Sequence, residues 1–247
     1  MASGSDRSLM AAEELKQMYS HVGIEEAEVI IALGGDGFLL QTFHKFPHLE
    51  IPVYAMNRGT IGFLLNEYNK DELYERLENA LEEHIYPIKM EAVTINGRCI
   101  EMLAYNEISV LRHSAQSANL SVEINGEQVL DHLSCDGLLV ATPAGSTAYN
   151  LSANGPVIPL NSNLLALTPV SAFRPRRWRG ALLPNDVEIL IENLDPKKRP
   201  IAAAADSREV NNILKVMINQ KKSNMKRLLF DKNRSLNDRI LKEQFSV

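Results

Sequence analysis

The sequence predicts an N-terminal α/β domain followed by a mostly β C-terminal domain. Up to about residue 85, apolar segments of helical and strand type alternate along the chain, which is typical of βαβ units. From residue 86 onward, short strand-like segments are separated by turn dipeptides, a pattern typical of antiparallel sheets. For the 247-residue chain we therefore predict an α/β domain at 1–85, a β-rich domain at 86–230 and a C-terminal tail at 231–247.

The first domain is predicted to alternate helices with short apolar strands. Helical spacing occurs in "SLMAAEELKQMYSHV" (8–22) and "GFLLQTFHKF" (37–46), and the strand-like segments are "AEVIIAL" (27–33) and "IPVYAMN" (51–57). In "NKDELYERLENALEEHIY" (69–86), Leu73, Leu77 and Leu81 share one face and acidic residues occupy the other. That arrangement predicts a long amphipathic helix over this segment.

The second domain is divided by turn signals, and the tail begins with a helix signal. The turn signals are "NG" at 96–97 and 125–126, "DG" at 136–137 and "PND" at 184–186. Such dipeptides between strand-like runs predict hairpins and tight turns. In the tail, Ser235 opens a Ser-x-x-Asp sequence that resembles a capping box, so we expect a short helix there, packed on the N-terminal domain.

Composition limits the function classes. Hydrophobic residues make up 45% of the chain, charged residues 23%, and the net charge is -5. These values, with no apolar run long enough for a bilayer and no basic-then-apolar leader, lead us to expect a cytoplasmic protein without a membrane segment. The acidic charge argues against a general nucleic-acid binder. Two cysteines and six histidines without ligand spacing lead us to expect no disulfide framework and no metal site built from side chains.

An acidic residue interrupts a glycine cluster in "VIIALGGDGFLL" (29–40). Glycines at the carboxyl end of a parallel strand let the backbone turn tightly and approach a ligand, and the helix that follows favours phosphate at its N-terminus. The carboxylate of Asp36 is placed to accept a proton from a substrate hydroxyl, as a phosphoryl-transfer enzyme requires. The alternative is a plain strand-to-helix turn in which Asp36 is the N-cap.

A second informative stretch is "SCDGLLVATPAGSTAYNLSANGPVIP" (134–159). Its small and hydroxylated residues expose backbone N–H groups around a polar ligand, and Tyr149 can stack on an aromatic ring. Upstream, Asn106 and Glu107 can serve one ligand if the pair lies at a strand end or a bulge. The alternatives are solvated strand-end residues, a hairpin turn at Asp136 and Gly137, and an ordinary polar loop.

Taken together and in this order, four motifs resemble the NAD kinase family. They are "GGDG" (34–37), "NRGTIGFL" (57–64), "YNEISV" (105–110) and "DGLLVATPAGSTAYNLSANGP" (136–156). The resemblance implies a Rossmann-like first domain of the diacylglycerol-kinase and phosphofructokinase type, followed by a domain of β-sheets. It also implies transfer of the ATP γ-phosphoryl group to the ribose 2′-hydroxyl of NAD, with Mg²⁺ or another divalent cation, in a homodimer or homotetramer. Polyphosphate is an alternative donor.

The resemblance also implies residue roles. Asp36 would be the general base, and the surrounding glycines would hold the ATP phosphates and the metal; these are Gly34, Gly35 and Gly37. Asn106 and Glu107 would hold the dinucleotide near adenine and ribose, and Asp136 would face its nicotinamide half. The wall of the NAD site would comprise Thr147, Ala148, Tyr149, Asn150, Leu151 and Ser152.

The sequence departs from the family pattern in four places, one of which is Ser134, where some relatives have arginine. Ala144 replaces a threonine of the usual "TPTGSTAY", and Asn154 stands where glycine is common. Family members usually open with an apolar strand, whereas this sequence opens with "MASGSDRS", so we expect an unpaired sheet edge there.

Two other function classes stay open at this point. One is a kinase for another alcohol, a lipid or a sugar, which would share "GGDG" without the long second motif. The other is a non-catalytic NAD-binding regulator.

Overall fold

In the computed structural model, which describes residues 1–47, 50–60, 62–176 and 178–232, the chain divides between Ile85 and Tyr86. The first unit contains Met1–Ile85 together with the strand that follows Asn224, and the second unit is Tyr86–Ser223. The helix predicted to begin at Ser235 lies outside the described residues.

Four helices and seventeen strands are numbered here in chain order within the described residues. The helices are α1 (Asp6–Met18), α2 (Asp36–Lys45), α3 (Leu73–Glu78) and α4 (Tyr149–Ser152). The strands of the N-terminal part are β1 (Ile30–Gly34), β2 (Val53–Asn57), β3 (Asn66–Glu67) and β4 (Leu81–Ile85). The remaining strands are β5 (Ile88–Thr94), β6 (Cys99–Ala104), β7 (Glu107–Arg112), β8 (Ala118–Ile124), β9 (Glu127–Cys135), β10 (Gly137–Ala141), β11 (Leu164–Val170), β12 (Ala181–Pro184), β13 (Ile189–Asn193), β14 (Ile201–Ala205), β15 (Arg208–Asn211), β16 (Ile213–Gln220) and β17 (Lys226–Phe230).

The first unit is an α/β unit built on one sheet in the order β1-β2-β17-β4, with β3 pairing beside β2. Strands β1 and β2 are parallel and in register from Ile30 opposite Val53 to Gly34 opposite Asn57. The carboxyl ends of both strands therefore meet at one edge of the sheet, which is where ligands bind in open α/β sheets. Helix α1 packs against this sheet through the buried side chains of Ala11 and Leu15.

The N-terminal residues lie along the outer edge of β1. Ala2 pairs in parallel with Leu33; the Ser3 N–H donates to the Leu33 carbonyl at 2.9 Å, and the Leu33 N–H donates to the Met1 carbonyl at 2.9 Å. Near Leu33, β1 thus has hydrogen-bonded neighbours on both sides, and the unpaired edge expected from the sequence is covered at this point.

The long helix predicted over residues 69–86 is wrong in its second half. Helix α3 ends at Glu78, and Leu81–Ile85 forms β4, antiparallel to β17. Arg227 on β17 pairs with Glu82 on β4 at 2.6 Å. Because β17 comes from the far end of the chain, the local pattern carried no sign of it, and pairing with it overrides helical periodicity.

Strand β17 belongs to the first unit, although the sequence analysis placed residues 226–230 in the β-rich domain. It runs parallel to β2 on one side and antiparallel to β4 on the other. The buried ammonium group of Lys226 donates to the carbonyls of Phe46 and Pro47, at 2.7 and 2.8 Å. These contacts tie the strand to the C-terminal end of α2.

The second unit consists of two antiparallel six-stranded sheets, in the orders β12-β11-β10-β7-β14-β15 and β6-β5-β16-β13-β8-β9. One apolar cluster contains buried residues from both sheets, including Met90, Val110, Leu138, Ile189 and Val216. Burial alternates along β5, whereas every residue of β10 is buried, because β10 lies in the middle of its sheet with structure on both faces. The predicted mostly β domain is therefore confirmed for this unit.

The predicted turns differ in outcome. Gly97 has a φ of 78°, and Asn125 and Gly126 have φ of 52° and 80°, so both Asn-Gly dipeptides form hairpin turns as predicted. Asp136 and Gly137 form no hairpin. The chain runs through Asp136 from β9 in one sheet directly into β10 in the other, so this dipeptide is the corner between sheets.

Within the described residues, no helix has the length and apolar character needed to cross a bilayer.

Candidate functional site

The glycines of the "GGDG" turn differ in their structural need. A Cβ on Gly34 would lie 2.7 Å from the Cβ of Phe38, so only glycine fits there. Around Gly35 and Gly37, no heavy atom lies within 4 Å of an added Cβ, and neither has a positive φ. The protein itself therefore does not need glycine at these two positions, and the backbone there is open at the N-terminus of α2.

Asp36 is held by a neighbouring loop. Gly35 is the N-cap of α2, and Asp36 is the first helical residue, so the alternative in which Asp36 is the N-cap is wrong. Its two carboxylate oxygens accept hydrogen bonds from the backbone N–H groups of Phe63 and Leu64, at 2.8 and 3.0 Å. These two hydrogen bonds fix the direction of the Asp36 carboxylate.

The loop that holds Asp36 folds back over the glycine turn. The Arg58 N–H donates to the Gly34 carbonyl at 2.8 Å, and the Gly59 N–H donates to Oδ1 of Asn57 at 2.8 Å. This segment belongs to the "NRGTIGFL" motif (57–64), whose residues carry no role in the predictions from the sequence. Phe63 and Leu64 act through backbone amides, which any residue type supplies, so no signal in the sequence could have identified them.

In the second unit, Asn106 and Glu107 lie where β7 begins. Oδ1 of Asn106 and Oε2 of Glu107 are buried and have no hydrogen-bond partner within the described part of the chain. Leaving a buried polar atom without a hydrogen bond costs about 1–3 kcal/mol of folding stability. A buried group left unsatisfied at this cost is typical of a position kept for a ligand. The pair therefore meets the condition, set out from the sequence, that it lie at a strand end.

Glu107 has a perturbed carboxyl group. Its pKa is raised to about 7, mainly by burial and also by the negative charge of Asp206, while a hydrogen bond from the Tyr149 N–H opposes the rise. A buried carboxyl group that changes charge near neutral pH is a common property of functional positions.

The second predicted segment lies directly on this pair. The Thr142 hydroxyl donates to the Tyr105 carbonyl at 2.7 Å, and the Thr142 N–H donates to the Asn106 carbonyl at 2.9 Å. A Cβ on Gly145 would lie 2.1 Å from the Asn106 carbonyl oxygen, so the loop approaches as closely as a backbone can. The structure therefore brings together two of the predicted groups, and it adds Thr142, which the sequence analysis did not assign.

The predicted wall residues divide into supporting and accessible ones. The side chain of Asn150 is fully buried; its amide nitrogen donates to the Ser146 and Pro156 carbonyls, and its oxygen accepts from the Thr168 hydroxyl at 2.7 Å. This side chain is thus committed to the protein and supports the loop. Tyr149 is 38% exposed, Ser152 is exposed, Ala148 and Leu151 are half-buried, and Thr147 is buried.

Asn154 occupies a position that calls for glycine or asparagine. Its φ is 61°, in the left-handed region that asparagine tolerates better than most residues. The departure from the family glycine is therefore accommodated by the backbone.

Asp136 lies apart from this group within the unit. Glu107 is opposite Ala141 and Leu111 is opposite Gly137 in the pairing of β7 with β10, so Asp136 is at the other end of the strand, roughly 17 Å away at 3.4 Å per residue. Its carboxylate accepts a hydrogen bond from Nε of Arg112 at 2.6 Å. The structure does not bring Asp136 to the Asn106–Glu107 pair.

The described residues contain no cluster of three or more histidine, cysteine, aspartate or glutamate side chains that could hold a metal ion.

Comparison with known proteins matches both units. The family model of the ATP-NAD kinase N-terminal domain matches residues 9–85, and that of the C-terminal domain matches residues 105–228. The NAD kinase of Rhizobium meliloti is 50% identical over 246 residues, covering 100% of this chain and 96% of the relative. The NAD kinase of Zymomonas mobilis is 49% identical over 249 residues, covering 100% and 96%.

Two solved structures share the fold. Yeast NADH kinase complexed with NADH has a TM-score of 0.77 at 24% identity, covering 95% of this chain and 75% of that one. An Archaeoglobus fulgidus NAD kinase in complex with ATP has a TM-score of 0.77 at 24% identity, covering 98% and 96%. With matches to both family models and full-length relatives at about half identity, the chain belongs to the ATP-NAD kinase family.

Proposed function

We propose that the protein is an NAD kinase, which transfers the γ-phosphoryl group of ATP to the 2′-hydroxyl of the adenosine ribose of NAD and releases NADP and ADP. The full-length relatives named as NAD kinases support this activity. The observation that carries it is the arrangement at the carboxyl edge of the first sheet: the Asp36 carboxylate, fixed by two amides, beside open glycine backbone.

The glycine turn would hold the donor. The open space around Gly35 and Gly37 fits phosphate oxygens, which would accept hydrogen bonds from backbone N–H groups at the N-terminus of α2. Mg²⁺ or another divalent cation, bound with the phosphates, supplies neutralisation of the charge that develops during transfer. We also propose that this unit is of the Rossmann-like, diacylglycerol-kinase and phosphofructokinase type; its parallel β1–β2 pair and glycine turn support that.

Asp36 would be the general base. A ribose hydroxyl loses its proton late in phosphoryl transfer, so the carboxylate must be held still beside it, and the amides of Phe63 and Leu64 supply that orientation. Because the transition state is stabilised mainly by positioning and charge neutralisation, the base accounts for only part of the rate.

The second unit would bind NAD. The unsatisfied oxygens of Asn106 and Glu107 are acceptors for amino and hydroxyl groups of the adenosine half, and the exposed ring of Tyr149 offers a stacking surface. Thr147, Ala148, Leu151 and Ser152 would complete the wall, and Asp136 stays proposed for the nicotinamide half. A cytoplasmic homodimer or homotetramer is part of the same proposal.

The test is NADP formation from NAD, ATP and Mg²⁺ by the purified chain, read through an NADP-specific dehydrogenase. Asp36→Asn should lower kcat by about 10²–10⁴-fold and leave the calorimetric Kd for NAD unchanged. Asp71→Asn, which changes an exposed aspartate of the same unit, is the matched control and should retain full activity. Equal losses of binding and turnover would argue against the base assignment, and NAD binding without turnover in the wild type would favour a regulator.

A further inference from the structure

Asp206 occupies an unusual backbone position beside Asn106 and Glu107, the two residues proposed to bind NAD. It is the first residue of the two-residue loop between β14 and β15, where Ala205 pairs with Arg208. Its φ is 51°, in the left-handed region that aspartate and asparagine enter more readily than most residues. Because β14 pairs with β7 so that Ala205 is opposite Ile108, this loop lies at the start of β7.

The carboxylate of Asp206 binds three successive amides. Oδ2 accepts the Tyr105 N–H at 2.9 Å, and Oδ1 accepts the N–H groups of Asn106 and Glu107 at 2.9 and 3.4 Å. In return, the Asp206 N–H donates to the Glu107 carbonyl at 3.1 Å. Hydrogen bonds to an ionised acceptor are about twice as strong as neutral ones, so this carboxylate is the main anchor of the segment.

The same segment is held from its other side by Thr142, through the carbonyls of Tyr105 and Asn106. With its backbone groups engaged on both sides, the Asn106–Glu107 dipeptide has a fixed direction. Its unsatisfied side-chain oxygens are consequently held in place before any ligand arrives.

We propose that Asp206 is a positioning residue for NAD: it fixes the Asn106–Glu107 dipeptide through three backbone N–H groups and places its negative charge beside the Glu107 carboxyl group. This inference rests on the proposed NAD kinase function. It adds a residue whose carboxylate acts through the backbone of residues 105–107.

The electrostatic part follows from the charges that face Glu107. They are the Asp206 carboxylate and the Tyr149 N–H dipole, and the Asp206 charge is the second largest cause, after burial, of the raised pKa of Glu107. The Asp206 charge also adds to the rise that burial causes in the pKa of the Tyr105 phenol, which Arg208 opposes. Removing the charge of Asp206 should therefore lower the pKa of Glu107 toward the ordinary glutamate range.

Asp206→Asn separates these roles from folding. Asparagine accepts the left-handed conformation at least as well, but it replaces one acceptor oxygen with an NH₂ group that faces a backbone N–H. The matched control is Asp195→Asn, which changes another loop aspartate of this unit, one that accepts from Asn119 at 3.0 Å.

The experiment is steady-state kinetics with NAD as the varied substrate, from pH 5.5 to 8.5. For Asp206→Asn we expect the KM for NAD to rise about tenfold, the equivalent of one charge-assisted hydrogen bond, and kcat to change little. The acid limb of kcat/KM should move to lower pH. The control should keep the wild-type KM and profile.

Four outcomes decide between these readings. An unchanged KM and profile would overturn the proposal, and a raised KM without movement of the acid limb would reduce Asp206 to a structural residue. If Asp206→Asn does not fold, Glu107→Gln takes its place: a persisting acid limb in that variant would overturn the electrostatic part. A wild-type protein that makes no NADP would instead refute the proposed function.

Discussion

Replacing Glu107 by glutamine should stabilise the unliganded protein at pH 8 and weaken its binding of NAD. The carboxyl group has a pKa of about 7 in the folded chain against an ordinary value of 4.5, chiefly because burial disfavours its charged form. Glutamine has nearly the same shape and no charge. The substitution therefore removes an electrostatic penalty and leaves the packing in place.

The sign of this change in the free energy of unfolding follows from proton linkage. Below about pH 4.5 the group is protonated in both the folded and the unfolded chain, so it imposes no penalty. As the pH rises from 4.5 to 7 the unfolded chain loses this proton first, and above 7 the folded chain carries the full cost of the buried charge. At 1.36 kcal/mol per pKa unit, the shift corresponds to at most about 3 kcal/mol, and relaxation around the charge lowers the expected gain to about 1–3 kcal/mol at pH 8.

The assay is urea unfolding of wild type and Glu107→Gln at pH 5 and pH 8, without ligand. The stability difference should be small at pH 5 and favour the variant at pH 8, and a control substitution of the exposed Glu209 should show no such change. The Kd for NAD should rise in Glu107→Gln at pH 8, because a neutral amide is a weaker acceptor than a carboxylate. Equal stability differences at the two pH values, or a variant that is less stable at pH 8, would refute the reasoning.

Two further predictions test the supporting structure. Gly35→Ala should fold normally, since its Cβ enters open space, but raise the KM for ATP; Gly34→Ala should lower stability by about 1–3 kcal/mol, because its Cβ would meet Phe38. Thermal unfolding measures the stability of each variant, and steady-state kinetics measures its KM for ATP. A raised KM for ATP in Gly34→Ala alone would contradict the proposed phosphate-binding role of Gly35. Asn150→Ala should lower stability by about 2–4 kcal/mol, since it leaves the buried Thr168 hydroxyl and two carbonyls without partners. Unfolding close to that of wild type would show that the loop has other support.

Glu107, as a proposed NAD-binding residue, illustrates how a group can be kept for a ligand although it lowers the stability of the folded chain. In the unliganded chain its buried oxygen has no partner within the described residues, and its charge is opposed by Asp206. A ligand that donates a hydrogen bond to this carboxylate supplies the missing partner of the oxygen and also stabilises its negative charge. The binding energy of NAD is thus expected to include relief of a penalty already present in the folded protein.

The sequence by itself determined the features that depend on neighbouring residues. The alternation of apolar segments identified β1, α2 and β2. The glycine turn at 34–37 followed from the local residue order, in which Gly-Gly-Asp-Gly comes directly after an apolar strand. Asn125 and Gly126 adopt the positive φ values of a hairpin turn because these residue types tolerate them. The order and spacing of the motifs also indicated the family, since a ligand site of this kind needs particular residue types at particular points.

Only the tertiary structure decided the features that join distant parts of the chain. Leu81–Ile85 became a strand because β17 lies beside it, and Asp136 became a corner between sheets rather than a hairpin turn. Asp36 received its orienting amides from residues 63 and 64, and Asp206 bound the backbone of residues about 100 positions earlier. The physical reason is that backbone N–H and C=O groups are the same in every residue except proline, so the partner that each one finds is set by the fold and leaves no mark in the local sequence.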